Sequence, residues 1–170
     1  KPLEFKFENI NQMFEYVNTI GHFLYQGILI CDIQKQTNTK IYSDNYYKFS
    51  LLRGNTPSIN YRYLELRSDP DQVSNLKCMF CDHVHNFNKY EEYLNTFANM
   101  ILNEYIKRYI KKKFVELDPQ VHYILKLSHA WHNEDRDNNK INIDKVKEII
   151  NKQSAIFLNK IIKTYKQKIN

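Results

Sequence analysis

The chain has 170 residues, of which 25 are Lys or Arg and 19 are Asp or Glu, and its formal net charge is +6 at pH 7. This length allows one compact domain, or one domain with a helical extension. No apolar run approaches the roughly 18 residues of a membrane span, and three cysteines are too few for a disulfide scaffold. The three glycines do not occur at the offsets of a Rossmann fingerprint or a Walker A loop. The first residues lack the apolar core of a signal peptide, so we expect no secretory leader.

The positive charge is concentrated in two segments, residues 107–113 and 160–168. Both are predicted to be helix ends, where Lys is solvated and complements the helix dipole. A net charge of this size permits salt-dependent binding to a polyanion but does not require it.

The first half of the chain is predicted to be one helix followed by short strands. Apolar residues at helical spacing predict a helix over residues 9–23, with Asn9 as its N-cap. The next segment, Leu24–Ile33, is apolar on both faces and is therefore expected to be a central, buried strand. With the alternating segments that follow, five strands are predicted, at Leu24–Ile33, Lys40–Ser43, Tyr46–Leu52, Ile59–Arg67 and Leu76–Val84.

The second half is predicted to be helical. Asn88 and Glu91 form a capping-box pattern at the start of a long helix, whose apolar stripe comprises Tyr90, Leu94, Phe97, Ile101 and Tyr105. Three further helices are predicted, at Asp118–Trp131, Ile143–Asn151 and Ser154–Lys168. Five strands followed by a long helix are typical of a small OB-type barrel. We therefore predict a five-stranded OB-type barrel domain with a long C-terminal helix in residues 1–114, and a helical extension in residues 115–170.

Several of these segments resemble a known family, the OB fold in the middle subunit of replication protein A and its telomeric counterpart in the CST complex. The run Leu24–Ile30, a polar turn and the run Thr39–Asn45 are similar to the first hairpin of that fold. The runs Tyr61–Arg67 and Leu76–Val84 look like its strands four and five, and His85–Tyr90 looks like the entry into its C-terminal helix.

The resemblance implies a non-catalytic subunit of a single-stranded DNA-binding or telomere-maintenance complex, located in the nucleus on chromosomes or telomeres. It also implies a heterodimer with a smaller OB-fold subunit, bound through the helix at residues 88–114, and no cofactor. The last three predicted helices have the order of the winged-helix domain found downstream in this family. The alternative function is a pure protein–protein assembly module without direct nucleic-acid contact.

A nucleic-acid-binding face is predicted from the outward positions of the strands. Single-strand binding combines aromatic rings that stack on bases with cations that meet phosphates. The opposing interpretation is that outward tyrosines simply cover the strands, as they often do. The candidate residues are Lys40, Tyr42, Lys48, Tyr61, Tyr63 and Arg67.

A partner-binding face is predicted on the long helix. This helix is apolar around nearly its whole circumference and must therefore be covered on a second side. The C-terminal helices of the chain or a partner subunit could supply that cover, and the resemblance favours a partner. The candidate residues are Tyr93, Met100, Leu102, Ile106, Tyr109 and Ile110.

Two clusters are weighed as metal or catalytic sites. The pattern Cys78-x-x-Cys81-x-His83-x-His85 suggests zinc, but residues three apart on a strand point to opposite faces, so buried core cysteines without metal are predicted. His129 and His132 are predicted to be cations at a helix C-terminus. No nucleophile elbow or carboxylate pair occurs, so we expect no enzymatic activity.

Overall fold

A computed structural model describes residues 3–21, 25–114 and 116–169, with residues 167–169 described by their backbone alone. The chain forms two compact units, unit 1 at Lys1–Asn55 and unit 2 at Thr56–Asn170. Helices make up 66% of the described residues, and the only strands among them are two that form an open hairpin. The predicted five-stranded OB-type barrel is therefore wrong. The predicted boundary after residue 114 falls inside unit 2.

Unit 1 begins with helix α1, Ile10–Thr19. The side chain of Asn9 accepts a hydrogen bond from the backbone N–H of Gln12, and Met13 and Val17 are buried. The predicted helix and its N-cap are therefore confirmed, although the helix ends at Thr19. Residues 22–24, which the prediction divided between this helix and the first strand, lie outside the described residues.

A hairpin and a short helix complete unit 1. Strands β1 (Gly27–Asp32) and β2 (Thr37–Tyr42) pair antiparallel, with Gly27 opposite Tyr42. Gly27 has φ +155°, and a Cβ atom there would collide with the carbonyl oxygen of Ile41, so only glycine fits. The predicted hairpin is confirmed. The prediction of a buried central strand is wrong, because β1 pairs with a single strand in the part of the chain that the structure describes and Leu29 is 53% exposed.

Unit 2 is a helical bundle around one long helix. Helix α5 (Val84–Tyr105) carries a buried stripe at Tyr90, Leu94, Phe97, Ile101 and Tyr105, as predicted. Four other helices pack against it, α3 (Ile59–Leu66), α6 (Pro119–Glu134), α7 (Ile143–Asn151) and α8 (Ala155–Ile169). The described elements of unit 2 are α3 (Ile59–Leu66), α4 (Pro70–Met79), a 3-10 turn (Cys81–His83), α5 (Val84–Tyr105), a π-helical turn (Ile106–Ile110), α6 (Pro119–Glu134), α7 (Ile143–Asn151) and α8 (Ala155–Ile169).

The three C-terminal helices are confirmed close to their predicted bounds. Asp118 accepts from the N–H of Gln120 with Pro119 in the first turn of α6, and Asn142 caps α7 by accepting from the N–H of Lys145. The start of α5 differs from the prediction. The helix begins at Val84 after the 3-10 turn, so the capping-box pattern lies inside it.

The last three predicted strands are wrong, because their residues are helical. Helix α2 (Asp44–Arg53) replaces the strand at Tyr46–Leu52, α3 replaces Ile59–Arg67, and α4 with the 3-10 turn covers most of Leu76–Val84. Each of these three α-helices has a side-chain N-cap, which satisfies N–H groups of the first turn. The capping residues are Ser43, Ser58 and Asp69.

A polar network on Glu91 joins α3, α5 and α7. The guanidinium of Arg67 donates from Nε and a terminal nitrogen to the two carboxylate oxygens, at 2.6 and 2.8 Å, and Tyr63 donates its hydroxyl to the same carboxylate at 2.8 Å. Arg67 also donates to Asn151 on α7. Burial raises the pKa of Glu91, but the hydrogen bonds and charge of Arg67 outweigh it and bring that pKa below its ordinary value. The carboxylate is therefore held ionised between three helices.

Removing the guanidinium should destabilise unit 2 strongly. We expect Arg67→Ala to lower the free energy of unfolding by about 2–3 kcal/mol, because it leaves the half-buried Glu91 carboxylate without its cation. Urea unfolding followed by circular dichroism measures the loss. The control is Lys152→Ala, which breaks an ion pair to Glu148 from a lysine that is 71% exposed and should cost less than about 0.5 kcal/mol. Equal losses in the two variants would contradict the role assigned to the network.

Candidate functional site

The structure divides the predicted nucleic-acid-binding residues between the two units. Lys40 and Tyr42 lie two residues apart on β2 and are exposed, and Lys48 is exposed on α2. The ring of Tyr42 stacks on that of Tyr46 with 5.2 Å between centroids. These three residues belong to unit 1, whereas Tyr61, Tyr63 and Arg67 belong to unit 2.

The three candidates of unit 2 do not share a strand face, because Tyr61 and Tyr63 lie on α3 and Arg67 is the C-cap of that helix. Tyr63 is only 3% exposed, and its ring stacks on Phe87 at 4.6 Å between centroids. Its hydroxyl and the guanidinium of Arg67 are committed to Glu91. Tyr61 is half-buried on α3. The structure therefore uses Tyr63 and Arg67 to hold the bundle together.

The predicted partner-binding residues lie on α5 and the π-helical turn, and other helices of the same chain cover two of them. Met100 accepts a hydrogen bond from the hydroxyl of Tyr165 on α8 at 2.9 Å, and the ring of Tyr109 stacks on His129 of α6. Ile110 is 66% exposed. The remaining three are half-buried, at Tyr93, Leu102 and Ile106.

The end of α5 carries the densest positive charge of the described chain. The helix widens into the π-helical turn, in which the N–H of Lys111 donates to the carbonyl oxygen of Ile106 at 2.9 Å. The chain then bends at Lys112, which has a positive φ of 51°. Within seven residues this segment places five cations, Lys107, Arg108, Lys111, Lys112 and Lys113.

Three of these cations have neither an ion pair nor a ring contact among the residues that the structure describes. Lys107 is paired with Glu104 at 2.7 Å, and the guanidinium of Arg108 lies 5.9 Å from the centroid of the Tyr109 ring. Lys111, Lys112 and Lys113 are exposed and form no ion pair with any residue that the structure describes. Their charges are therefore open to an external anion.

Two exposed apolar side chains border these lysines. Ile110 is 66% exposed and Phe114 is 96% exposed. Residues 106–114, which contain these five cations and two exposed apolar side chains, form the basic segment. Free ammonium groups beside an open aromatic ring are the combination that single-stranded nucleic acids require, since cations meet phosphates and rings stack on bases.

A stack of rings supports the basic segment from within unit 2. Tyr109 and His129 lie parallel with 3.9 Å between ring centroids, and the hydroxyl of Tyr105 is 3.4 Å from Nδ1 of His129. Nδ1 of His132 donates to the carbonyl oxygen of Asn139 at 2.6 Å. Burial lowers the pKa of His129, and electrostatic repulsion from His132 and Arg136 lowers that pKa further. His129 therefore favours the neutral form, contrary to the prediction of a helix-end cation, and acts as a packing surface for Tyr109.

The cysteine and histidine pattern has a different setting from the predicted one. Cys78 and Cys81 are exposed, at the end of α4 and in the 3-10 turn, so the prediction of buried core cysteines is wrong. Across residues 3–21, 25–114 and 116–169, no group of three or more His, Cys, Asp or Glu side chains is placed to hold a metal ion. None of the helices described combines the length and apolar character that a membrane span requires.

The sequence contains the signal for the basic segment, although the lysines by themselves also fit the predicted solvated helix end. The informative feature is that apolar residues interrupt the charge, as in Lys107-Arg108-Tyr109-Ile110-Lys111. A solvated end has no need of an exposed Ile110 and Phe114. The π-helical turn that exposes them is a tertiary feature without a local sequence signature.

The comparisons with known proteins found two distant relatives. The chain is 29% identical over 102 residues to "Immediate-early protein ICP-46 homolog" of Invertebrate iridescent virus 3. The matched region covers 58% of this chain and 23% of that protein. The chain is also 26% identical over 117 residues to the protein of the same name from Invertebrate iridescent virus 6, and this matched region covers 68% of this chain and 26% of that protein. The chain thus spans about a quarter of the length of these relatives. No family model matches it, and no solved structure gives a significant match.

The neutral state of His129 predicts how stability depends on pH. A histidine in the unfolded chain takes up its proton near pH 6.5, about where model peptides do, whereas His129 in the folded chain does so at lower pH. The stability that this histidine contributes is therefore complete above about pH 6.5 and is lost as the pH falls towards its folded pKa.

We expect the urea midpoint of the wild-type chain to fall more between about pH 7.5 and about pH 5.5 than that of His129→Gln. The matched control is His122→Gln, a substitution at an exposed position on the same helix, which should leave the pH dependence as in the wild type. An identical pH dependence for the wild type and His129→Gln would contradict this assignment.

Proposed function

We propose that the chain is a non-catalytic module that binds single-stranded DNA through the basic segment. The observation that supports this proposal best is that Lys111, Lys112 and Lys113, which form no ion pair with a described residue, lie beside the 96% exposed ring of Phe114. The proposal keeps the DNA ligand predicted from the sequence and replaces the site. Binding no longer relies on a barrel surface.

The division of labour within the basic segment follows from its chemistry. Lys111, Lys112 and Lys113 neutralise phosphates and release counterions, which makes the affinity fall with salt. Phe114 offers a ring face to a base, and such a contact contributes about 1–3 kcal/mol. A ring of this kind suits a single strand better than a duplex, because the bases of a duplex are already stacked on one another.

The setting of this activity is a second part of the proposal. The two relatives are named as immediate-early proteins of viruses, and we propose that the chain acts in a corresponding viral context. A telomeric or replication role, a nuclear location and a smaller OB-fold partner stay predictions of the resemblance, and the helical fold adds no support to them.

Fluorescence anisotropy with a labelled single strand of about 16 nucleotides tests the proposal. Lys111→Gln, Lys112→Gln and Lys113→Gln together should weaken binding at least tenfold at low salt, a shift of about 1.4 kcal/mol or more. The triple variant should also lower the slope of log affinity against log salt by about 2, since each phosphate contact contributes about 0.7 for a single strand.

Two further variants separate stacking and net charge from the basic segment. Phe114→Ala should weaken binding at least about fivefold and leave the salt slope unchanged, because it removes stacking alone. The control is Lys35→Gln with Lys40→Gln and Lys48→Gln, which removes the same charge from unit 1 and should change affinity little. An equal loss in this control would show that net charge, and not the basic segment, determines the affinity, and would overturn the proposal. An absence of binding by the wild type would also overturn it.

The assembly module is the second candidate function. The observation that favours it lies in unit 1, where one edge of the hairpin is apolar and has no neighbouring strand among the described residues. A wild-type chain without affinity for DNA would leave this candidate in first place.

A further inference from the structure

Strand β1 has one edge that no other strand of the described residues pairs with. The N–H of Ser43 donates to the carbonyl oxygen of Gln26 at 3.0 Å, and these residues are directly opposite in the register of the hairpin. Hydrogen-bonded pairs alternate along an antiparallel ladder. The backbone groups of Gly27, Leu29 and Cys31 therefore point away from β2, and the described residues offer no third strand to receive them.

The two edges of the hairpin differ in charge. By the same alternation, the outer edge of β2 is formed by Asn38, Lys40 and Tyr42. A lysine at an edge is a common protection against pairing with another strand. The outer edge of β1 has no such protection, because no charged residue occurs from Tyr25 to Cys31.

We propose that two copies of the chain pair through the outer edges of β1, forming a continuous antiparallel sheet of four strands. The outward residues Gly27, Leu29 and Cys31 are centred on Leu29, so a twofold axis at Leu29 lets both copies satisfy these groups at once. Leu29 then lies opposite Leu29 of the second copy, and Ile28 lies opposite Ile30. Each of these cross-strand pairs is apolar.

The charge pattern favours a second copy over a strand of another protein. A twofold axis brings like residues towards one another, so a charge near the axis would repel its own copy. Asp32 is the first charged residue after the axis, and this register places it opposite the uncharged Gln26 of the second copy. Two copies of β1 can therefore pair through this edge without like charges meeting. An edge that binds a strand of another protein is under no such constraint, because the two strands then differ in sequence.

The area available sets the strength of the dimer. Tyr25, Leu29 and Ile33 are 56%, 53% and 89% exposed, so their side chains have apolar surface to bury. Stable complexes bury about 1,200–2,000 Å², which is more than a pair of six-residue edges supplies. We therefore expect a reversible dimer whose population rises with protein concentration.

Sedimentation velocity over a range of concentrations tests the pairing. Leu29→Glu should raise the dissociation constant of the dimer at least tenfold, because two carboxylates then meet at the twofold axis. Within one chain the new carboxylate faces Lys40, its cross-strand neighbour, so the hairpin itself is retained. The control Asn38→Glu adds the same charge to the outer edge of β2 and should leave the dimer intact.

Cysteine cross-linking tests the register. In a chain with Cys31→Ser, Cys78→Ser and Cys81→Ser, the added substitution Leu29→Cys should give a covalent dimer on oxidation with copper phenanthroline. Ile33→Cys in the same background should not, because the two copies of this residue lie about 26 Å apart at 3.3 Å per residue, and a disulfide requires Cα atoms about 4.4–6.8 Å apart.

Each outcome of these two experiments decides the proposal. A monomer at every concentration, or a dimer that Leu29→Glu leaves intact, would overturn it. Equal cross-linking at residues 29 and 33 would also overturn it, since random collisions have no register. Binding of the single strand by Leu29→Glu is measured in parallel and should equal that of the wild type, which separates this inference from the proposed function.

Discussion

The carboxylate of Glu91 is the constraint on which unit 2 depends. It receives a bidentate guanidinium and a phenol from α3, and the same guanidinium continues to Asn151 on α7. Apolar packing alone would let these helices slide along α5, because the hydrophobic effect has no direction. A charged hydrogen-bond network has one geometry. It therefore fixes the register of three helices at the N-terminal part of α5, where Phe87 and Tyr90 are also buried.

The opposite end of α5 is held differently, and the difference creates the candidate site. After Tyr105 the burial of the helix declines, and the backbone changes from α-helical to π-helical hydrogen bonding. The wider turn places Tyr109 on the neutral ring of His129. π-helical turns are rare, and they occur often at functional sites. Their rarity indicates that the wider turn is less stable than an α-helical turn. Here the cost is offset by ring stacking, and the lysines and Phe114 that follow are left in solvent.

Local signals explain how much of this fold the sequence predicts. Helices α1 and α6 are predicted because a start signal, the cap at Asn9 or the pair Asp118-Pro119, coincides with a 3.6-residue apolar period. Helix α7 is predicted from its apolar period alone. The segment at Ile59–Arg67 misled the prediction because Leu64 and Leu66 fit a period of two in so short a stretch. The helical face at Ile59, Tyr63 and Leu66 and the cap at Ser58 fit better. The strand prediction therefore assigned Tyr63 and Arg67 to a binding face, whereas both belong to a buried network. Their partner Glu91 lies 24 residues beyond Arg67 in the sequence, so local patterns do not reveal the contact.

The basic segment and the outer edge of β1 differ in the force that operates on them. Contacts between the basic segment and phosphates lose strength as salt rises, because counterions compete for the same charges. Pairing through β1 joins uncharged groups, and salts such as sulfate strengthen apolar burial. The two surfaces also belong to different units, with the lysines in unit 2 and the free edge in unit 1. A change of ionic conditions is therefore expected to act on the two proposed interactions in opposite directions.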